Sequence, residues 1–278
     1  MRTVLNLRPG SGLCNRLQMM NGGIRLAREL NEELKIFWFY NPIPRYGIRL
    51  GMNERFTSCF HPVANVRLRE SIFFSPLDYY RYSSFNKFLY TDTTYRRFVA
   101  DFKAARDRDK LTLWTCYDFY HNSDFTWLIP LEHIQRQIND VAERFVGTRT
   151  IGLHVRRTDN KNAILGSPLS LFVACAEREV DNDSSVKMFL ATDDAGTKMA
   201  MKQRFGARVI TRDHTLARYS LRGVQDGVVD LFLLAKTNKI YGSLWSSFSE
   251  CAAQIGRIPL EMVTERKVAF PSWYNEWL

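Results

Sequence analysis

The stretch Ile151-Gly152-Leu153-His154-Val155-Arg156-Arg157-Thr158-Asp159 is a short apolar run that stops abruptly in two arginines and an aspartate. Such a run reads as a buried strand, which puts the polar cluster at the strand's carboxyl tip. In open parallel α/β sheets, ligands bind in the crevice outside those tips, where side chains and helix N-termini converge. Two neighbouring guanidiniums there suit a diphosphate. Each planar fork donates paired, charge-assisted hydrogen bonds and stays charged at any working pH. Taken alone, an Arg-Arg pair reads more simply as a solvated edge tied to nearby carboxylates, so its surroundings decide.

Downstream the pattern alternates. A helix begins at Ser167 (N-cap) and Pro168 and runs to about Val180, followed by a strand from Val186 to Ala191. A helix from Gly196 to Phe205 and a strand from Arg208 to Thr211 come next, then a loop holding Arg218 and Arg222. A helix from Gly227 to Ala235, a strand from Lys239 to Tyr241 and a helix from Ser249 to Ile255 complete the series. Strands alternating with helices mean a parallel sheet. The polar tips fall at regular points: Phe189-Leu190-Ala191-Thr192-Asp193-Asp194, then Ser220-Leu221-Arg222-Gly223-Val224, Asp230, and the segment from Tyr241 to Glu250 with Ser246, Ser247, Phe248 and Ser249.

This order and spacing, from Thr150 to Ile255, resembles the nucleotide-binding half of the inverting, GDP-fucose-using fucosyltransferase superfamily. The core α1,6-fucosyltransferases and the nodulation-type bacterial enzymes are the most similar. The resemblance implies an α/β, GT-B-like architecture of two Rossmann-like halves facing across a cleft. Residues 1–147 would form the acceptor-side domain and 148–278 the nucleotide-sugar domain, with the break at Val146-Gly147-Thr148. It implies a glycosyltransferase that moves fucose, or a related sugar, from a GDP-sugar to a glycan or glycoconjugate acceptor. Carried over residue by residue, Arg156 becomes the principal catalytic cation and Arg157 its support. His154 and Asp230 lie near the nucleotide, Asp193 or Asp194 near the base or ribose, Arg222 with the donor, and Ser246 to Ser249 near the phosphates.

The chemistry follows from leaving-group charge, because a departing nucleoside diphosphate needs either a metal or fixed cations. Asp193-Asp194 superficially offers a metal site, yet adjacent residues at a strand end point in opposite directions. One acid facing the ligand and the other capping the next helix is the simpler reading. The site is therefore read as metal-independent, with no cofactor beyond the GDP-sugar. One departure from the core α1,6 pattern bears on the base. Those enzymes follow Arg-Arg-Thr-Asp with Lys and then a catalytic Glu, whereas here Asn160 precedes Lys161 and no acid appears before Glu177. Asp159 is the nearest carboxylate and the candidate base, although an Asp beside two arginines has a lowered pKa and suits orienting Arg156 or Arg157 better.

The first half is less regular. Val4 to Leu7 reads as a strand, followed by Arg8-Pro9-Gly10-Ser11-Gly12-Leu13-Cys14-Asn15-Arg16-Leu17 and a helix to about Leu30. Strand, glycine loop and helix N-terminus form a place where an anion can sit, or simply a tight turn before a core helix. The resemblance makes Asn15 and Arg16 donor-side candidates. Lys35 to Tyr40 is a second strand; from about Met52 to Trp127 the pattern is irregular and aromatic, and Leu131 to Phe145 is a closing helix. Asp118, His121 and Asp124 are candidate acceptor-side groups or plain surface polar residues.

Composition sets outer bounds. The 278 residues, 45 % hydrophobic, can bury a sizeable core. Lys plus Arg number 39 against 29 acids, a net charge of +10, which suits a phosphate-bearing ligand, an anionic membrane surface met peripherally, or nucleic acid. The charges are dispersed rather than clustered among aromatics, so a nucleic-acid-binding protein is the rival reading, not the leading one. A non-catalytic sugar-nucleotide-binding protein is a third. Five cysteines without a CxxC read as reduced thiols, and no apolar run approaches the roughly 18 residues of a membrane span. Met1 to Leu7 lacks the apolar core of a signal peptide, so a cytoplasmic, bacterial-type enzyme is expected.

Overall fold

The computed structural model describes residues 4–9, 12–40, 54–72, 83–85, 92–106, 111–115, 120, 124–158, 161–213 and 220–265. Asp118, His121, Asp159 and Arg218 lie outside them. Chain contacts divide the described residues into two units, each built on its own parallel sheet: the first runs to Leu131 and also takes residues 220–224, and the second holds Glu132 onward apart from those residues.

In the first unit, β1 (Val4–Pro9) leads into α1 (Leu13–Glu29) and β2 (Glu33–Phe39), followed by β3 (Val66–Ser71), β4 (Ser83–Phe85), α2 (Asp92–Arg106) and β5 (Leu111–Thr115). The strand order is β3-β2-β1-β5-β4, with every neighbouring pair parallel. Helix α1 presents Leu17, Met20, Ile24 and Ala27 at helical spacing, all buried. The stretch that looked irregular from sequence thus supplies three of the five strands and a helix.

The second unit opens with α3 (Glu132–Ala142) and β6 (Thr150–Val155), then α4 (Lys161–Gly166), α5 (Leu169–Asn182), β7 (Lys187–Thr192) and α6 (Ala195–Phe205). It continues through β8 (Val209–Ile210), α7 (Leu221–Ala235), β9 (Lys239–Ser243), α8 (Ser247–Gly256) and β10 (Leu260–Val263). Helix α3 groups with this unit and not, as the sequence suggested, with the first: Arg212, just after β8, donates to Gln137 of α3 at 3.2 Å.

The order β10-β9-β6-β7-β8 puts β6 at the centre, and all six of its residues are buried. A parallel sheet covered on both faces requires that continuous apolar run. Ile151, Leu153 and Val155 pack with Phe172 and Cys175 of α5, Met188 and Leu190 of β7, and Tyr241 of β9. Each fully buried side chain of this kind contributes roughly 1.5–3 kcal/mol. Two glycines permit the close approach of helices. A Cβ on Gly152 would stand 2.9 Å from Leu234 of α7, and one on Gly242 2.5 Å from the Ser249 hydroxyl of α8. Among the described residues, no helix is long and apolar enough to cross a membrane.

Candidate functional site

From β6 the chain steps outward to β7 and β8, then crosses back to β9 on the other side of β6. The carboxyl ends of β6 and β9 therefore flank a topological switch point, where the following loops leave in opposite directions and open a crevice. Backbone groups freed by that divergence need other partners. Ser243, fully buried at the end of β9, supplies them: its hydroxyl donates to His154 O at 3.1 Å and accepts from Arg156 N–H at 3.0 Å.

Four more hydrogen bonds fix the tip of β6. Asp193 accepts the Arg157 N–H at 2.7 Å through Oδ1 and the Thr158 hydroxyl at 2.6 Å through Oδ2. The Arg157 guanidinium donates to Ser167 O at 2.8 Å and to Ile164 O at 3.3 Å, at the C-terminal end of α4. Burial is the main influence on that guanidinium and lowers its proton affinity, with Asp194 and Asp193 acting the other way; an arginine stays charged regardless. Ser167 also accepts the Leu244 N–H on its hydroxyl at 2.8 Å, so the loops after β6 and β9 are joined through one residue.

Beyond β9 the chain turns through Trp245 and Ser246 into α8. Trp245 holds φ at +56°, a left-handed conformation that costs a bulky residue roughly 1–2 kcal/mol. Ser246 occupies the N-cap position with its side chain making no capping bond; it is 3 % exposed, and its buried Oγ has no hydrogen-bond partner. An N-cap serine ordinarily turns its oxygen onto an amide of the first turn. Here the amides of α8 and an uncommitted hydroxyl are left together at the carboxyl edge of the sheet. Helix N-termini of this kind bind anions, through their amides and the positive end of the helix dipole. On the flank, the His154 imidazole stacks on Phe248 of α8, centroids 4.8 Å apart.

Further along the edge, Arg212 sits between two acids of α7, at 2.7 Å from Asp226 and 3.0 Å from Asp230, all nearly buried. Lys198 donates to Arg212 O at 2.8 Å. The one guanidinium thus pairs with both acids. At the opposite, amino edge of the sheet an open polar cavity is lined by Arg149, Arg178, Glu179, Lys239, Tyr241 and Glu261. Its cations are engaged by its own carboxylates: Arg149 with Glu179 at 2.7 Å, Lys239 with Glu261 at 2.7 Å and Arg178 with Glu261 at 3.1 Å.

No protein-family model matches the chain, and no curated protein is detectably similar to it in sequence. Solved structures are similar in fold. The fucosyltransferase NodZ from Bradyrhizobium superposes with a TM-score of 0.63 at 18 % identity, covering 98 % of this chain and 96 % of that one. NodZ α1,6-fucosyltransferase co-crystallized with GDP gives 0.61 at 18 %, covering 90 % and 91 %. A variant of Arabidopsis thaliana FUT1 in complex with GDP gives 0.62 at 12 %, covering 94 % and 70 %. The chain shares the fold of these solved proteins. The α/β, GT-B-like class expected from the sequence is the one found.

Within that fold, the structure brings together the backbone of Arg156, the ring of His154, Phe248, and Ser246 at the head of α8. Other candidates are engaged structurally. Asp194 caps α6 by accepting from Thr197 N–H and its hydroxyl, both at 2.7 Å, and those bonds hold its carboxyl below the usual range. Asp193 anchors the loop after β6, and Ser249 packs beneath Gly242 and donates to Ser246 O at 3.1 Å. Ser247 opens α8, half-buried. Arg222 is exposed in the first turn of α7, not in a loop, because Ser220 caps that helix by accepting the Gly223 N–H at 3.1 Å.

In the first unit, Asn15 is half-buried in the first turn of α1. Arg16 is 4 % exposed, donates to Phe39 O and lies over the Trp38 ring, so it ties α1 to β2. Asp124 accepts the Thr126 hydroxyl at 2.7 Å. Sequence reasoning did not single out Ser243, Ser167, Arg212 or Asp226. Only Ser167 carried a signal, read as the N-cap before Pro168; the N-cap of α5 is Pro168 itself, and the Ser167 hydroxyl accepts from Leu244 instead. The described residues contain no group of three or more His, Cys, Asp or Glu placed to hold a metal.

Proposed function

We propose that the chain is an inverting, metal-independent glycosyltransferase that moves fucose, or a related sugar, from a GDP-sugar to a glycan acceptor. The observation that carries this reading is the head of α8. A buried, unpartnered Ser246 hydroxyl stands at a ten-residue helix's N-terminus, three residues beyond the Ser243 that fixes Arg156. NodZ and FUT1, whose fold it shares, are solved with GDP.

In this reading the diphosphate sits against the first amides of α8 and Ser246, with the Arg156 guanidinium as its cation. The bond between the anomeric carbon and the β-phosphate oxygen breaks, and its electron pair goes to that oxygen. The acceptor hydroxyl forms the new bond from the opposite face and gives its proton to a base. Fixed dipoles and a fixed cation stabilise the growing phosphate charge without reorganising, which is where such sites gain most of their rate. Arg157 and Asp193 act as positioning residues, since their contacts hold the loop that carries Arg156. Metal independence is supported by the two adjacent acids, one of which anchors a loop while the other caps a helix. Asp159 is the candidate base.

Incubation with GDP-fucose and a glycan panel tests the proposal, following GDP release together with a mass gain of one deoxyhexose on the glycan. Transfer to at least one glycan is expected, lost in Arg156→Ala. Neither release nor mass gain with any GDP-linked sugar would overturn it.

A further inference from the structure

Four described residues other than glycine have a positive φ: Asn31, Asn65, Trp245 and Arg257. Two are asparagines, which tolerate this region, and Arg257 is the C-cap of α8, where left-handed residues are common. Trp245 has neither excuse. It is a bulky residue held where glycine would be cheaper, and its indole is 62 % exposed. Its neighbours are locked in the interior: Leu244 is fully buried with its N–H on Ser167 Oγ at 2.8 Å, and Ser246 is 3 % exposed. The fold therefore sustains backbone strain at a point whose outcome is a large aromatic ring turned to solvent. Strain of this kind concentrates at functional sites.

The end of α4 lies close to the residue that precedes Trp245. A Cβ at Gly166 would stand 2.8 Å from Leu244 Cδ2, so the end of α4 lies against Leu244. The residues next to this contact, Leu165 and Trp245, are 70 % and 62 % exposed. The exposed ring immediately precedes the N-cap of α8, which puts it at the phosphate end of the site.

We infer that Trp245 is the platform on which the acceptor glycan lays the apolar face of a pyranose ring; this rests on the GDP-sugar transferase reading above. The C–H face of a pyranose matches an indole, while its hydroxyl edges stay free for solvent and polar neighbours. A diphosphate seated on α8 brings the anomeric carbon beside this platform, where an incoming acceptor hydroxyl is needed.

The test uses titration calorimetry on the wild type, Trp245→Gly and Trp245→Phe. GDP is titrated first, then cello-, manno-, xylo- and chitotetraose in turn on the GDP-loaded protein, since their rings differ in the apolar face they expose. At least one tetrasaccharide is expected to bind the wild type, at least tenfold more weakly to Trp245→Gly, and within threefold to Trp245→Phe. GDP affinity should agree within twofold across all three. The thermal midpoint of Trp245→Gly should not fall, because glycine takes φ +56° without a steric cost. The inference is overturned if no tetrasaccharide binds, if Trp245→Gly keeps its saccharide affinity, or if GDP affinity drops with the indole, which would assign the ring to the donor. Failure of the wild type to bind GDP would instead remove the transferase reading beneath it.

Discussion

Replacing Ser246 with alanine should make the folded protein more stable and its hold on GDP weaker, two effects of opposite sign from one atom. The hydroxyl is buried, lacks a hydrogen-bond partner and contributes no capping bond to α8. Burying such a group unpaired costs about 1–3 kcal/mol, and alanine removes that cost without forfeiting a cap. After allowance for lost packing, a net gain of about 1 kcal/mol is expected, or about 2–4 °C in thermal midpoint for a unit of this size. Against a bound diphosphate the same hydroxyl donates to a charged oxygen, a bond worth about 1.5–3 kcal/mol, so GDP should bind roughly 10- to 150-fold more weakly. Scanning calorimetry without ligand and titration with GDP measure the two effects. A midpoint lowered by about 2 °C would show that the hydroxyl has a structural partner, and GDP affinity within about threefold of the wild type would show that it faces no phosphate; either refutes the reasoning.

Three further outcomes follow from the packing and charge. Arg212→Met leaves Asp226 and Asp230 buried without their guanidinium and should cost about 3–5 kcal/mol in urea unfolding; Asp226→Asn and Asp230→Asn in the same chain should recover much of it. Glu179 is buried, which raises its proton affinity, yet bonds from Arg149 and Tyr241 outweigh this and hold its carboxyl below the usual range. Its folded-state pKa is depressed, so its contribution is present above the unfolded value of 4.5 and lost as pH falls through the folded one; Glu179→Gln should flatten the acid limb of the stability profile. Gly242→Ala places a Cβ 2.5 Å from Ser249 Oγ, which should cost about 1–3 kcal/mol by pushing α8 off β9, and Ser249→Gly should relieve part of it.

How much of this was legible in the sequence depended on where the signal was local. The apolar run to Val155 announced a central strand, and its abrupt polar end announced the site edge. Pro168 and Asp194 marked helix starts within a residue or two of those found. The strands β4 and β5 and helix α2 were not legible, because the aromatic-rich stretch between Met52 and Trp127 keeps no clean period there, and β3 was passed over although Val66-Arg67-Leu68-Arg69 alternates apolar and charged residues. The helix read from Gly227 to Ala235 in fact begins at Leu221, its first turns being more exposed than the nearly continuous buried run that follows. At the site, arginines at a strand tip stood out, whereas Ser243 did not. A serine that bridges two strands is defined by its tertiary partners, and spacing along the chain carries no trace of them. The same holds for Arg212, whose two acids lie 14 and 18 residues away. Conversely, Arg16, Asp193 and Ser249 were nominated by position and are occupied in holding elements together.

Arg156 and the head of α8 are proposed above to bind a guanosine diphosphate. Calorimetric titration of the wild type and of Arg156→Ala with GDP, UDP and ADP tests it most directly. GDP is expected to bind the wild type, with UDP and ADP far weaker, and the variant to lose at least about a hundredfold in affinity, near 2.7 kcal/mol. Absence of GDP binding, or equal binding by Arg156→Ala, would contradict it.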